Sequence, residues 1–209
     1  MNKILRGFYL FLVVFGTSSV AAAQDNKITF NSPYVMLSTV GTKLFHDIAE
    51  LTPAQRKNPD MMKAIVEHDL MPYIDYRYAA FKVMGSYIRK TTTEQRSAFV
   101  KAMYANLVAT YANALTQYQH QKVNFEQDRS VGEQHIVVVR SEIVDANAPT
   151  IHIDFKLRKD SISGQWKAFD MVVEGISLLS SKQAEITSQI RRVGLQAVID
   201  KLNQISQSV

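Results

Sequence analysis

Residues 150–158 read TIHIDFKLR. Ile151, Ile153, Phe155 and Leu157 alternate with His152, Asp154, Lys156 and Arg158. A strict period of two marks a strand with one dry face and one wet face. Upstream, residues 134–144 place Val137, Val139 and Ile143 on one side. Downstream, residues 165–173 read as a further strand after a turn at Ser163 and Gly164. Residues 122–127 give a weaker first strand. The short connections predict an antiparallel meander, and its apolar face needs a cover.

Helices flank this block on both sides. Asn31 or Ser32 can cap a helix with Pro33 in its first turn. Val35, Met36, Val40, Leu44, Phe45 and Ile48 then recur at helical spacing, ending near Leu51. Asn58 and Pro59 open a second helix that Pro72 breaks, and residues 75–89 form a third, with Gly85 inside it. Thr92 with Gln95 forms a capping box at the start of the longest helix, residues 94–118. Its stripe of Phe99, Val100, Met103, Tyr104, Leu107, Tyr111, Leu115 and Tyr118 makes it the expected cover for the sheet. Residues 181–207 read as helix again, bent at Gly194. Helices before and after one antiparallel sheet predict an α+β fold.

The N-terminus reads as an address. Lys3 and Arg6 precede an apolar run at 8–15, and Ala21, Ala22 and Ala23 form a small-residue cleavage site. That order predicts a secretory signal peptide over residues 1–23, cut after Ala23. The run falls short of the ~20 apolar residues a bilayer span needs. Losing Lys3 and Arg6 lowers the formal charge from +5 to +3, a balance that gives no case for nucleic acid. The chain has 0 cysteines, so it lacks disulfides, thiol nucleophiles and thiolate metal sites. Export without disulfides points to a periplasm.

Enzyme signatures are sparse. Gly41, Thr42 and Lys43 echo the end of a phosphate loop whose upstream glycine is missing. His46, His68, His120, His135 and His152 are dispersed; His135 and His152 could face each other across paired strands, but two ligands are too few for a metal, and both read as surface or rim residues. Asp170 and Glu174 could form a carboxylate pair on one face, with Asp170 as a base; a capping or pairing role at the edge of the fold is the plainer expectation. Arg140, Lys156 and Arg158 are expected to pair with Glu142 and Asp154 on the wet face. In their place, the chain is rich in soft bulky side chains, with 8 Met, 10 Phe and 9 Tyr, suited to a core or to a cavity of variable contents.

Four stretches carry a resemblance: NSPYVML at 31–37, NPDMMKAIVEHDLMPYIDYRYAAFKVMG at 58–85, TEQRSAFVKAMYANLVATYANAL at 93–115 and WKAFDMVVEGISLL at 166–179. In order and spacing they resemble the toluene-tolerance, or MlaC, family of periplasmic phospholipid-binding proteins. Residues 72–78 leading to Gly85, and Asp170 with Glu174, Gly175 and Ser177, are the most specific pieces. Ser180, Ser181 and Lys182 stand where many members carry Asn-Tyr-Arg.

The resemblance implies a helical subdomain packed on a curved, NTF2-like antiparallel sheet with an internal apolar cavity. One lipid-binding domain is expected over residues 24–209: mainly helical to 118, sheet over 119–180, helical over 181–209. The implied job is to shuttle phospholipid between outer and inner membranes and so maintain outer-membrane lipid asymmetry. The implied partners are an outer-membrane lipoprotein–porin complex and an inner-membrane ABC transporter with a lipid-binding ring domain. Phospholipid is the cargo, and no cofactor is expected. By position, Tyr111 and Ile176 match places that border the lipid.

Joined to the strand and helix patterns, this places a cavity between Val137, Val139, Ile153, Phe155, Phe169, Met171 and Val173 of the sheet and Val83, Met84, Tyr87, Met103, Leu107 and Tyr111 of the helices. Glutamate at Ile176 or Val139 is expected to abolish lipid retention and leave the protein folded. Three alternatives stay open: a carrier of another lipid such as a hopanoid, an NTF2-like enzyme using Asp170, and an adaptor with a filled core.

Overall fold

The computed structural model describes residues 30–118 and 121–208. The signal-peptide features, including the cleavage site after Ala23, and His120 lie outside the described residues.

Local chemistry sets the helix starts. The Ser32 hydroxyl accepts the amides of Tyr34 and Val35 and opens α1, Pro33–Ala49. A short α2, Pro53–Arg56, is capped by Thr52 and Gln55; the sequence reading missed it. Asn58 caps α3, Pro59–Ile65. The chain then loosens into a π turn at Val66–Leu70 and a 3-10 turn at Met71–Tyr73, because Pro72 has no amide to continue the ladder. Asp75 caps α4, Tyr76–Met84. Gly85, at φ 55, ends that helix rather than lying inside it, and a 3-10 segment follows to Lys90. The Thr92–Gln95 capping box opens α5, Thr93–Leu115. The last helix, α6, spans Leu178–Ser208 and kinks at Gly194, where φ is 82 and ψ 164.

The sheet is an antiparallel meander in the order β1-β2-β3-β4-β5, from Lys122–Phe125, Ile136–Asp145, Ala148–Lys159, Trp166–Val173 and Ile176–Ser177. The two-residue β5 was not foreseen. It returns through Glu174 (φ 47) and Gly175 (φ 81), both left-handed as a tight two-residue hairpin requires. Register puts Val137, Val139, Ser141 and Ile143 on the same face as Leu157, Phe155, Ile153 and Ile151. Met171 and Val173 continue that face opposite Phe155 and Ile153, and Ile176 joins it opposite Val173. We call this the inner face.

The cover on the inner face is α1, not α5. Tyr34, Met36, Leu37 and Val40 form one core with Val137, Val139, Leu157, Trp166 and Ala168. The physical reason lies in α5 itself: Phe99, Ala102, Met103, Asn106, Val108, Ala109 and Ala112 are all buried, and these point around most of its circumference. A helix whose buried face is this wide packs between other helices. Its first half joins α4 and α6 in a second core. Its second half joins α1 and α3 in a third, which meets the sheet core at Leu70 and Ile74. Of the bulky stripe read from sequence, Phe99 and Met103 are fully buried, while Val100, Tyr104, Leu107, Tyr111, Leu115 and Tyr118 are only half-buried.

Gly41 is a packing position, not part of a phosphate loop. A Cβ there would stand 2.4 Å from Cζ of Phe125, whose ring lies on the bare backbone of α1. Gly41→Ala should therefore destabilise the fold by about 1–3 kcal/mol through overpacking. Thermal melting checks this. The double variant Gly41→Ala/Phe125→Leu should regain part of the loss, and an unchanged midpoint in the single variant would refute the contact.

Candidate functional site

The inner face grades from closed to open along the strands. At one end Val137, Val139 and Leu157 are sealed under α1. In the middle Phe155, Ile153, Met171, Val173 and Ile143 are half-buried. At the far end Ile151 is 42% and Ile176 62% exposed. Among the described residues, Ile153, Met171 and Val173 join none of the three cores. Ser141 is the polar residue on this face, and its hydroxyl donates to the Ile153 carbonyl at 3.2 Å, so the sheet satisfies it internally. A graded apolar strip that runs out of cover suits a long apolar ligand.

The helices supply further apolar groups. Leu107, Tyr111 and Leu115 of α5 pack onto the third core. Tyr111 is half-buried and packs against the third core. Burial, with a smaller push from the Asp170 carboxylate, raises its phenol to about 12. The phenol thus stays neutral at any physiological pH. Between pH 10 and 12 the unfolded chain releases this proton and the folded chain holds it, so stability falls with rising pH. The loss should reach about 2–3 kcal/mol by pH 12. Chemical denaturation at pH 9 and 11.5 should show a steeper fall for the wild type than for Tyr111→Phe; parallel falls would place Tyr111 in water.

The expected cavity residues divide. Leu107, Tyr111, Ile153, Phe155, Met171, Val173 and Ile176 are half-buried or exposed. Val83, Met84 and Met103 are fully buried in the α4–α5–α6 core, with Tyr87 packed against it. Val137 and Val139 are sealed under α1, so the expectation that glutamate at Val139 leaves the protein folded is corrected. Phe169 turns away because the register between β3 and β4 shifts at Lys156/Leu157, and its ring meets Tyr78 of α4 edge-on at 5.1 Å. Sequence reasoning left Ile143 and Ile151 out of the site, though their alternation was visible.

The polar expectations shift too. His152 pairs with Glu142 rather than with His135. Glu174 forms no pair with Asp170: it lies in the hairpin turn and accepts the His152 amide. Arg158 reaches Asp75 and stacks over the Tyr78 ring at 4.5 Å instead of pairing with Asp154. Asp170 is buried and accepts three hydrogen bonds. It accepts from Lys156 Nζ at 2.9 Å, the Ser177 hydroxyl at 2.8 Å and the Leu179 amide at 3.0 Å. A carboxylate so held joins β4, β3 and the start of α6.

The two most specific motifs are therefore joints. Ile74 bridges to Ala168, the Asp75 amide donates to the Ala168 carbonyl, and Asp75 also caps α4. Farther along the same side of the sheet, Asp170 of β4 and Ser177 of β5 fasten to α6. Together they hold the helices along β4, one at its closed end, where Ala168 pairs with Leu157, and one toward β5. Among the described residues no cluster of His, Asp or Glu could hold a metal, and no helix is long and apolar enough to cross a membrane.

Comparison with known proteins agrees with this architecture. A phospholipid-binding protein from Ralstonia solanacearum, solved in complex with a phospholipid, superposes with a TM-score of 0.74 over 85% of this chain and 98% of that one, at 22% identity. The likeness shows the fold. The intermembrane phospholipid transport system binding protein MlaC of Haemophilus influenzae is 36% identical over 179 residues, covering 85% of this chain and 83% of that one. The family model for the MlaC protein matches residues 38–204, which take in both joints and every strand. Matched by the family model over residues 38–204 and 36% identical to the Haemophilus protein, this chain belongs to the MlaC family.

Proposed function

We propose that this protein is a periplasmic phospholipid carrier. The observation that carries the proposal is the inner sheet face, sealed at Val139 and open at Ile151 and Ile176. The acyl chains lie against Phe155, Ile153, Met171 and Val173, with Tyr111 and Leu107 on the helical side. The Ralstonia neighbour's bound phospholipid and the name of the Haemophilus relative support the same cargo.

Energetics fit a carrier. Each buried methylene is worth about 0.8 kcal/mol, so two chains of about 15 methylenes gain roughly 24 kcal/mol over water. A bilayer offers the chains a comparable gain, so transfer from membrane to protein is nearly balanced and needs no nucleotide on the carrier. Direction comes from the partners: an outer-membrane lipoprotein–porin complex at one end and an inner-membrane ABC transporter with a lipid-binding ring domain at the other. In this reading the signal peptide delivers the chain to the periplasm, and the traffic maintains outer-membrane lipid asymmetry.

The test is native mass spectrometry of the mature protein purified without detergent. A bound mass matching a diacyl phospholipid, released on denaturation, is expected. An apo mass together with no uptake from phospholipid vesicles would refute the carrier.

A further inference from the structure

A pocket of about 390 Å³ opens between α4 and the first half of α5, apart from the sheet. Arg77, Arg96 and Lys101 line it, over apolar and aromatic surface from Phe81, Tyr76 and Tyr104. Among the described residues none of the three cations has an ion-pair partner. Two are braced. Arg77 lies over the Phe81 ring at 5.6 Å, and Arg96 donates to the carbonyls of Thr91 at 3.0 Å and Thr92 at 3.2 Å. The acids nearby, Glu94 beside Arg96 and Glu67 beside Tyr104, do not line it. Three cations without a salt bridge on the walls of a partly apolar hollow suit an anion on an apolar body.

We propose that this pocket is a second site, distinct from the acyl-chain site, that takes the phosphate of an anionic phospholipid headgroup at a bilayer surface. The Arg77 guanidinium, the part of the Arg96 guanidinium not held by the Thr91 and Thr92 carbonyls, and the Lys101 ammonium suit phosphate oxygens, and the Phe81 and Tyr104 surface suits the glycerol and first methylenes beneath the phosphate. A headgroup held here would orient the carrier on the membrane while its cargo stays on the sheet face.

The test uses the mature, lipid-loaded protein and sedimentation with vesicles. Vesicles of phosphatidylcholine with phosphatidylglycerol should bind it, and vesicles of pure phosphatidylcholine should not. Arg77→Gln/Lys101→Gln should bind about 30-fold more weakly, from two lost cations at the surface. Arg191→Gln/Arg192→Gln, the same charge change on α6 away from the pocket, should bind like the wild type. Inorganic phosphate should release the vesicles at concentrations where chloride of equal ionic strength does not. Both double variants should keep their bound lipid by native mass spectrometry, which separates this proposal from the carrier itself. Equal loss in the two double variants, equal release by chloride, or no binding to anionic vesicles would each overturn it; the last would leave the pocket to a protein partner.

Discussion

Glutamate in place of Val139 is expected to abolish folding, while glutamate in place of Ile153 is expected to give a folded protein without lipid. The two residues share one sheet face, on adjacent strands: Val139 pairs with Phe155, and Ile153 pairs with Ser141 and Val173. Their surroundings differ. Val139 is fully buried beneath Tyr34, Leu37 and Val40, where a carboxylate meets neither water nor a cation. Lost apolar burial and a stranded charge together cost about 5 kcal/mol or more, comparable with the whole stability of a domain. Ile153 is half-buried where α1 no longer covers the face. Its carboxylate can turn to solvent at about 1–2 kcal/mol, which the fold can absorb. An acyl chain laid over that charge would desolvate it, so lipid occupancy should fall at least about tenfold. Circular dichroism and soluble yield report the first effect, native mass spectrometry the second. A folded, thermally stable Val139→Glu would show that α1 does not seal the sheet. An Ile153→Glu protein with full lipid occupancy would move the cargo elsewhere.

This contrast marks what could be read from the chain beforehand. The strands were legible because alternation is local: residues 150–158 declare their two faces with no help from the rest of the molecule. Caps were legible for the same reason, and Ser32, Asn58 and Thr92 all act where the sequence placed them. The resemblance to the MlaC family was carried by residues 72–78 and 170–177, which turn out to be joints between sheet and helices. What covers the inner face was not legible, because it depends on which helix the chain's path brings across it. Long bulky residues on α5 drew the expectation there, whereas Phe99, Met103 and Val108, with its alanines, are buried against other helices. Gly41, a bare position within an apolar helix, was the available signal that α1 meets something closely, and the partner is Phe125. The bulge that turns Phe169 out of the inner face belongs to strand pairing and leaves no mark on period-two alternation.

Asp170→Ala is expected to cost about 3 kcal/mol of stability. The carboxylate is buried, and its removal strands three groups at once: the Lys156 ammonium, the Ser177 hydroxyl and the Leu179 amide at the start of α6. Lys156 is partly exposed and can turn outward, which keeps the loss below that of a wholly buried pair. For a chain of this size the thermal midpoint should drop by about 6–12 °C. Asp170→Asn keeps an oxygen for the Leu179 amide but sets its amide group against the ammonium, so a smaller loss of about 1–2 kcal/mol is expected. Removing both charged partners, as Asp170→Ala/Lys156→Met, should recover part of the single-variant loss, since the ammonium is then no longer left near a buried site without its anion. A general base would behave differently: Asp170→Asn would leave stability near wild type and abolish a turnover. Melting curves of the three variants decide between the two roles. If Asp170→Ala melts with the wild type, the joint between β4 and α6 is held by something other than this carboxylate.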